Sequence, residues 1–325
     1  MFHYSKDQEM TIRVVLFGEC MLELRGEAFG ALRQGFGGDT LNTAVYLARC
    51  APAGRLRVDY ATALGDDALS DSMLARWADE GIATSLVRRL PGRLPGLYQI
   101  DVDAQGERSF SYWRDHSAAR SYFDAPETPL ESDDGDVGAF HFSGISLAIL
   151  PPAGRERLFA HVQRLRERAC TVVFDNNYRP RLWSEAVEAR AAFARAFALA
   201  SIALVTVDDH QALYGLSTPE DAVRAAQALE VDEIVLKRGA LPTLVRGGAH
   251  AAWQEVATER VERVVDTTAA GDSFAAGYLA RRLSGADAAE SARYANRLAA
   301  RVIQHQGALI PREAMADLCA GAENR

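Results

Sequence analysis

The run Asp266-Thr267-Thr268-Ala269-Ala270-Gly271-Asp272-Ser273-Phe274 places three small residues and an acid where a strand-like stretch, Val261–Val265, hands over to a helix-like one, Ala275–Leu283. The free N–H groups of a first helical turn point outward and carry the positive end of the helix dipole. With only Ala269, Ala270 and Gly271 at that turn, a phosphate can come close to those amides. Asp272 would stand beside the phosphate, where its charge opposes simple anion binding. That position suits a general base taking a proton from a hydroxyl that attacks the phosphate. An ordinary strand–turn–helix with an acidic first turn would explain the run equally well by itself.

Four other constellations carry ligand-type side chains. In Phe36-Gly37-Gly38-Asp39-Thr40-Leu41-Asn42 a glycine pair precedes a helix. It is either a plain turn or a place where backbone amides and the Asp39 and Asn42 side chains face a polyhydroxylated ligand. Tyr98 lies on one strand-like stretch and Tyr112-Trp113-Arg114 on another. Aromatics there could simply stabilise the strand pair, or could offer a sugar its flat surface, with Arg114 a planar fork for a carboxylate. Phe174-Asp175-Asn176-Asn177-Tyr178-Arg179-Pro180 leaves a buried-type strand, and the alternation of Asp175, Asn177 and Arg179 would put all three on one side of an extended exit. Val235–Ala240 leads a strand into the basic, glycine-containing turn Lys237-Arg238-Gly239-Ala240, suitable for nucleotide contacts. No Gly-x-x-x-x-Gly-Lys-Ser/Thr loop is present, so the common phosphate loop is not the device here.

The elements that must position these groups follow an alternating rhythm. Strand-like Ile12–Phe17, Tyr60–Leu64, Ala139–Phe142, Thr171–Phe174, Ile202–Val205 and Glu233–Leu236 are separated by helix-like segments, among them Thr40–Arg49, Ser70–Gly81, Pro152–Arg168, Glu185–Ala200 and Pro219–Leu229. That rhythm predicts an α/β fold, a mostly parallel central sheet with helices on both faces. Leu22–Phe36 and Leu97–Trp113 break it. They read as antiparallel strands, the second around a turn at Asp103-Ala104-Gln105-Gly106, and together predict a small β-sheet lid. The acidic loop Glu131–Asp136 reads as solvated surface.

The 325 residues, 48% hydrophobic and 25% charged, allow one large α/β domain. A net charge of −8 and the lack of a dense basic stripe argue against nucleic acid as a partner. No apolar run is long enough to span a bilayer, and residues 1–11 lack a secretory apolar segment, which points to a loose leader, with Met1 or Met10 as the start, and a cytoplasmic location. Cys20, Cys50, Cys170 and Cys319 lie far apart in sequence and read as reduced, partly buried thiols.

Taken together, the segments resemble the ribokinase-like (PfkB-type) sugar kinases over nearly the whole chain from Ile12. The Gly37-Gly38 segment looks like that family's first motif and Asp266–Phe274 like its second, with Ala269-Ala270-Gly271-Asp272 where many members have Gly-Ala-Gly-Asp. The resemblance is strongest to members that phosphorylate 2-keto-3-deoxygluconate. It rests on Gly18–Leu24, Phe36–Asn42, Arg93–Tyr98, Ser143–Leu150, Phe174–Trp183 and Asp266–Leu279. It implies one kinase domain over residues 12–315, followed by a tail at 316–325. It implies ATP-dependent phosphorylation of the 6-hydroxyl of that sugar acid, with Asp272 as base, Ala269, Ala270 and Gly271 as the anion hole, and Mg2+ bridging the phosphates. Substrate contacts would be Gly38, Asn42, Tyr98, Tyr112, Arg114 and Arg179, and ATP would lie along Lys237, Gly239, Ala240 and Asn296. Where members often show Asn-x-x-Glu near the metal, this chain has Asp208 and Gln211, so the resemblance names no metal ligands. The lid implies a homo-oligomer, at least a dimer. A fructokinase or ribokinase type of activity shares Asp272 and the anion hole, and a non-catalytic sugar-acid sensor shares the fold. The two arginines favour an acidic substrate over the first, and the retained acid favours catalysis over the second.

Overall fold

The computed structural model describes residues 11–27, 29–102 and 108–320. The leader through Met10, the Asp103–Gly106 turn and the last five residues of the expected tail lie outside them.

Apolar, β-branched runs form the strands. In chain order they are β1 Ile12–Phe17, β2 Met21–Gly26, β3 Leu32–Gly37, β4 Leu56–Leu64, β5 Ile82–Ala83, β6 Val87–Arg89, β7 Gly96–Val102, β8 Arg108–Trp113, β9 Ala139–Ser143, β10 Thr171–Asp175, β11 Ile202–Thr206, β12 Glu233–Lys237, β13 Thr243–Gly247 and β14 Gln254–Val256. The helices are α1 Asp39–Cys50, α2 Ala68–Asp79, α3 Pro129–Ser132, α4 Gly144–Ile149, α5 Pro152–Glu167, α6 Ala186–Leu199, α7 Val207–Tyr214, α8 Pro219–Gln227, α9 Ala270–Arg282, α10 Ala288–Val302 and α11 Ala316–Ala320.

Ten strands make the main sheet in the order β14-β13-β12-β11-β10-β9-β1-β4-β5, with β6 also on β4. Pairings from β12 through β5 are parallel, and β13 and β14 close one edge antiparallel. Alternate residues of each strand feed two cores. Phe17, Phe140, Phe142 and Phe174 pack with Phe193 and Phe197 of α6 on one face. Leu16, Tyr60 and Val173 meet Leu41 and Val45 of α1, Trp77 of α2 and Phe274 and Leu279 of α9 on the other. Such near-continuous apolar strands are what a sheet covered on both faces requires. The chain builds outward from β1 to β4, then crosses to β9 on the other side of β1. Ligands of open α/β sheets sit outside the carboxyl ends of the strands at such a reversal.

The second sheet, β3-β2-β7-β8, is the lid. Both hairpins are antiparallel as the sequence implies, and β2 joins β7 in parallel.

Three expectations change. Val261–Val265 is not a strand. The backbone N–H groups of Val265 and Asp266 both donate to the carbonyl of Ile303 at the end of α10, which pulls the segment away from the sheet. The acidic loop is not free surface: Glu131 closes a capping box with Thr128 and pairs with Arg157, and Asp133 pairs with Arg13. Residues 316–320 are a helix rather than tail, with Leu318 buried in the α1–α10 core.

Candidate active site

A cavity of about 1010 Å³ opens at the carboxyl ends of β10, β11 and β12, roofed by the lid and floored by the first turn of α9. Ala269, Ala270, Gly271 and Asp272 line the floor, Lys237, Gly239, Ala240 and Asn296 one flank, and Gly38, Asn42, Tyr98, Tyr112 and Arg179 the sugar-sized end. Arg114 does not line it.

The floor is built from a strained turn. Ala269 precedes α9 with φ of +60°, a left-handed conformation that costs a residue with a Cβ about 1–2 kcal/mol. Asp266 fastens the turn: its buried carboxylate accepts from the N–H of Thr268 at 2.9 Å and of Gly307 at 2.9 Å. The N–H of Ala270 donates to the carbonyl of Thr267, and the first full helical bond runs from Ser273 to Ala269 at 2.9 Å. Among the described residues of this turn, the amides of Ala269, Gly271 and Asp272 donate to no group of the protein, which leaves them to meet an anion. Of the residues 269–271 read from sequence, Ala270 is the one whose donor is spent on closing the turn.

Asn42, one turn into α1, donates from Nδ2 to Asp272 Oδ2 at 2.8 Å, while its Oδ1 is buried without a partner. Burial pushes the Asp272 carboxyl up to about 7. The neighbouring Asp39 carboxylate pushes the same way, the Asn42 amide opposes it, Asp175 adds to the rise and Lys237 opposes it. A carboxyl poised near neutrality beside unoccupied amides is the arrangement general-base chemistry needs. Gly38 is required by packing, since a Cβ there would lie 2.1 Å from the Glu19 carbonyl oxygen.

Three cation–carboxylate pairs surround this centre. Lys237 Nζ donates to both Asp175 oxygens at 3.0 and 2.8 Å and stands 3.6 Å from where a Gly271 Cβ would be. Arg179, half exposed, meets Asp209 at 3.2 Å, and burial pushes the Asp209 carboxyl up despite that arginine. Arg114 is the exception to its expected role: it is buried against Glu19, below the lid rather than facing the cavity. Glu19 Oε1 and Arg114 Nε have no partner.

The residues expected to meet the nucleotide differ in how free they are. Asn296 accepts from the Thr243 hydroxyl at 3.0 Å and donates to the Ala257 carbonyl at 3.1 Å, so it ties α10 to the sheet edge. Beside it Val261, Val264, Ala299, Ala300 and Ile303 give the cavity an apolar wall, which sequence reading did not single out. Its signal was there: Val264 is 54% exposed, an apolar residue without a core to join. Gln211 turns away to the Leu216 carbonyl, whereas Asp208 lines the cavity. No cluster of three or more His, Cys, Asp or Glu side chains able to hold a metal exists among the described residues.

On the lid, Tyr98 and Tyr112 face each other across β7 and β8 with ring centroids 6.1 Å apart, and Phe110 stacks on Tyr112 at 6.3 Å. The Tyr98 hydroxyl donates to Glu23 at 2.5 Å. Arg25 of the same strand approaches Asp266 at 3.8 Å, linking the lid to the turn that opens α9.

The model for "pfkB family carbohydrate kinase" matches residues 11–315. The chain belongs to this family. Two 2-dehydro-3-deoxygluconokinases are similar to this pfkB kinase over 94% of its length and 99% of theirs: that of Escherichia coli K12 at 43% identity and that of Dickeya dadantii at 45%. Among solved structures, aminoimidazole riboside kinase from Salmonella enterica, complexed with aminoimidazole riboside and an ATP analog, covers 94% of this chain and 99% of its own. Its TM-score is 0.78 at 27% identity. The carbohydrate-kinase fold expected from the motifs is thus the fold observed. No described helix is long and apolar enough to cross a membrane.

Proposed function

We propose that this kinase transfers the γ-phosphoryl group of ATP to the 6-hydroxyl of 2-keto-3-deoxygluconate, with Asp272 as general base. The observation that carries the mechanism is a half-buried carboxyl, raised to about 7 and oriented by Asn42, in the same helical turn as the open amides of Gly271 and Asp272. The substrate class follows from the 43–45% identity to 2-dehydro-3-deoxygluconokinases and from a cavity that presents a guanidinium at its sugar end.

The hydroxyl gives its proton to Asp272 as its oxygen attacks the phosphorus. The Gly271 and Asp272 amides stabilise the charge that builds on the transferring group. Lys237 exchanges Asp175 for a phosphate oxygen. The apolar wall of Val261, Val264 and Ile303 receives the base of the nucleotide. A bound Mg2+ would supply neutralisation of the phosphates' charge. Asp208, exposed in the cavity, fits a cation that takes one or two carboxylates and several waters.

Arg179 reads the sugar-acid carboxylate directly. Arg114 can do so only by releasing Glu19, so it serves first to hold the strand exit under the lid. Tyr98 and Tyr112 supply the flat surface. The lid's Leu32 and Trp113, 43% and 58% exposed, are covered by the lid of a second copy in a twofold dimer. Light scattering across a dilution series checks that pairing, and a strict monomer would end it.

The direct test is ADP release by the purified chain with 2-keto-3-deoxygluconate, its galactonate epimer, fructose and ribose. We expect kcat/KM for 2-keto-3-deoxygluconate to exceed that for the neutral sugars at least a hundredfold. A preference for fructose or ribose would assign a neutral-sugar kinase, and binding without turnover would assign a sensor.

A further inference from the structure

The four cysteines, far apart in sequence, include one pair that the fold brings together. Cys50 ends α1 and Cys319 lies on α11, 269 positions later, yet their sulfur atoms are 3.8 Å apart. Cys50 is fully buried and Cys319 partly exposed, so one thiol of the pair is open to a small oxidant and the other is not.

The surroundings hold the pair in register. The Tyr294 hydroxyl of α10 donates to the Leu318 carbonyl at 3.2 Å, next to Cys319. Arg49, adjacent to Cys50, donates to the Ile310 carbonyl at 2.7 Å, and the Tyr46 hydroxyl donates to the Ala308 carbonyl at 2.7 Å. Three elements thus converge on the two sulfurs. The hydrogen bond with Cys50 lowers the Cys319 thiol below its ordinary range against the cost of burial, and Arg49 and Arg281 favour its thiolate while Asp317 opposes it. Asp317 is itself neutralised by Arg301 at 2.8 Å.

We propose that Cys319 and Cys50 form a reversible disulfide when the protein meets hydrogen peroxide, tying the C-terminal helix to α1. The Cys319 thiolate attacks one peroxide oxygen. An S–O bond forms, the O–O bond breaks, and hydroxide leaves to become water. Cys50 then loses its proton as its sulfur attacks Cys319, displacing the sulfenic oxygen as a second water. Two thiols are oxidised and one peroxide is reduced to two waters. The sulfurs must close to about 2.05 Å, a movement that the end of the chain can supply more easily than α1.

The bond would fasten the layer behind the site, because α1 carries Asn42 and α10 lines the cavity. Cross-linking residues so far apart removes freedom from the unfolded chain more than from the folded one. The expected consequence is resistance to unfolding under oxidising conditions with little change in turnover.

The test uses the full chain treated with a small molar excess of hydrogen peroxide, alkylated and mapped without reduction. We expect a peptide joining Cys50 to Cys319, two hydrogens lighter than its parts, and a fall from four free thiols to two. We also expect a raised thermal midpoint and full reversal by dithiothreitol. Cys319→Ser should keep the activity of the reduced protein and lose the peptide and the midpoint shift. Cys50→Ala should leave a sulfenic acid on Cys319 that dimedone traps. Oxidation of Cys319 to sulfinic acid with Cys50 still free, or disulfides only between chains, would overturn the proposal.

Discussion

The two ends of the cavity are built differently. At the phosphate end, the catalytic turn rests on α9 and α10, which pack so closely that a Cβ on Gly277 would lie 3.1 Å from the Ala295 Cα. Asp266 and Asn296 have their hydrogen bonds filled by backbone and neighbouring side chains. At the sugar end, a four-stranded lid hangs over the cavity with Tyr112 and Trp113 about half exposed, and its cations are held by carboxylates of this same chain. The phosphate end is thus preorganised, which suits a reaction whose catalysis is mostly positioning and electrostatics. Each end holds one internal ion pair that lines the cavity, Lys237 with Asp175 at the first and half-exposed Arg179 with Asp209 at the second, so the ends differ in the covering sheet rather than in having paired cations.

This contrast can be broken most sharply at Asp272. Asp272→Asn should lower kcat by ~100- to 10,000-fold while nucleotide affinity stays within about twofold, because it removes the base and leaves the amides in place. A carboxyl whose folded value is raised contributes its full stability below the unfolded carboxylate value and loses it as pH rises toward about 7. The variant should therefore melt higher than the native protein above neutral pH and match it in acid, measured by calorimetry at both.

The two arginines sharpen the comparison at the sugar end. Arg114→Met leaves Glu19 buried without its partner, and breaking such a pair costs roughly 3–5 kcal/mol, read as a fall in denaturation midpoint. Arg179→Met should melt nearly as the native protein, since its pair is half exposed. It should raise the apparent dissociation constant for the sugar acid ~10- to 100-fold, as expected for one charge-assisted hydrogen bond, with ATP affected little. Equal stability losses in both variants would erase the distinction between them.

The smallest effect lies in the turn itself. Ala269→Gly relieves a left-handed conformation and should stabilise the protein by about 1 kcal/mol at most, offset by the glycine's extra freedom when unfolded, with kcat preserved. A loss of stability would show that the Ala269 Cβ makes a contact worth more than the strain.

The turn into α9 was readable in the sequence because its residues are neighbours: small side chains and an acid stand together within the nine positions 266–274. The central strands were readable for the same reason, since Val14–Phe17 and Val172–Phe174 are buried on both faces and leave an uninterrupted apolar run. What could not be read were pairings across long separations. Arg114 and Glu19 stand 95 positions apart, and Lys237 and Asp175 are 62 apart. No local pattern tells a guanidinium waiting for a ligand from one already paired. Val261–Val265 misled for a related reason: its valines have strand character, but their wall faces the cavity and their backbone goes to α10.

The pH dependence of kcat/KM for the native kinase tests the central claim most directly. With Asp272 as base the profile should fall about tenfold per pH unit below an inflection near 7, the direction set by burial and by Asp39. A profile that stays flat down to about pH 5, where an ordinary carboxylate is still ionised, would contradict a base whose carboxyl is raised by its surroundings.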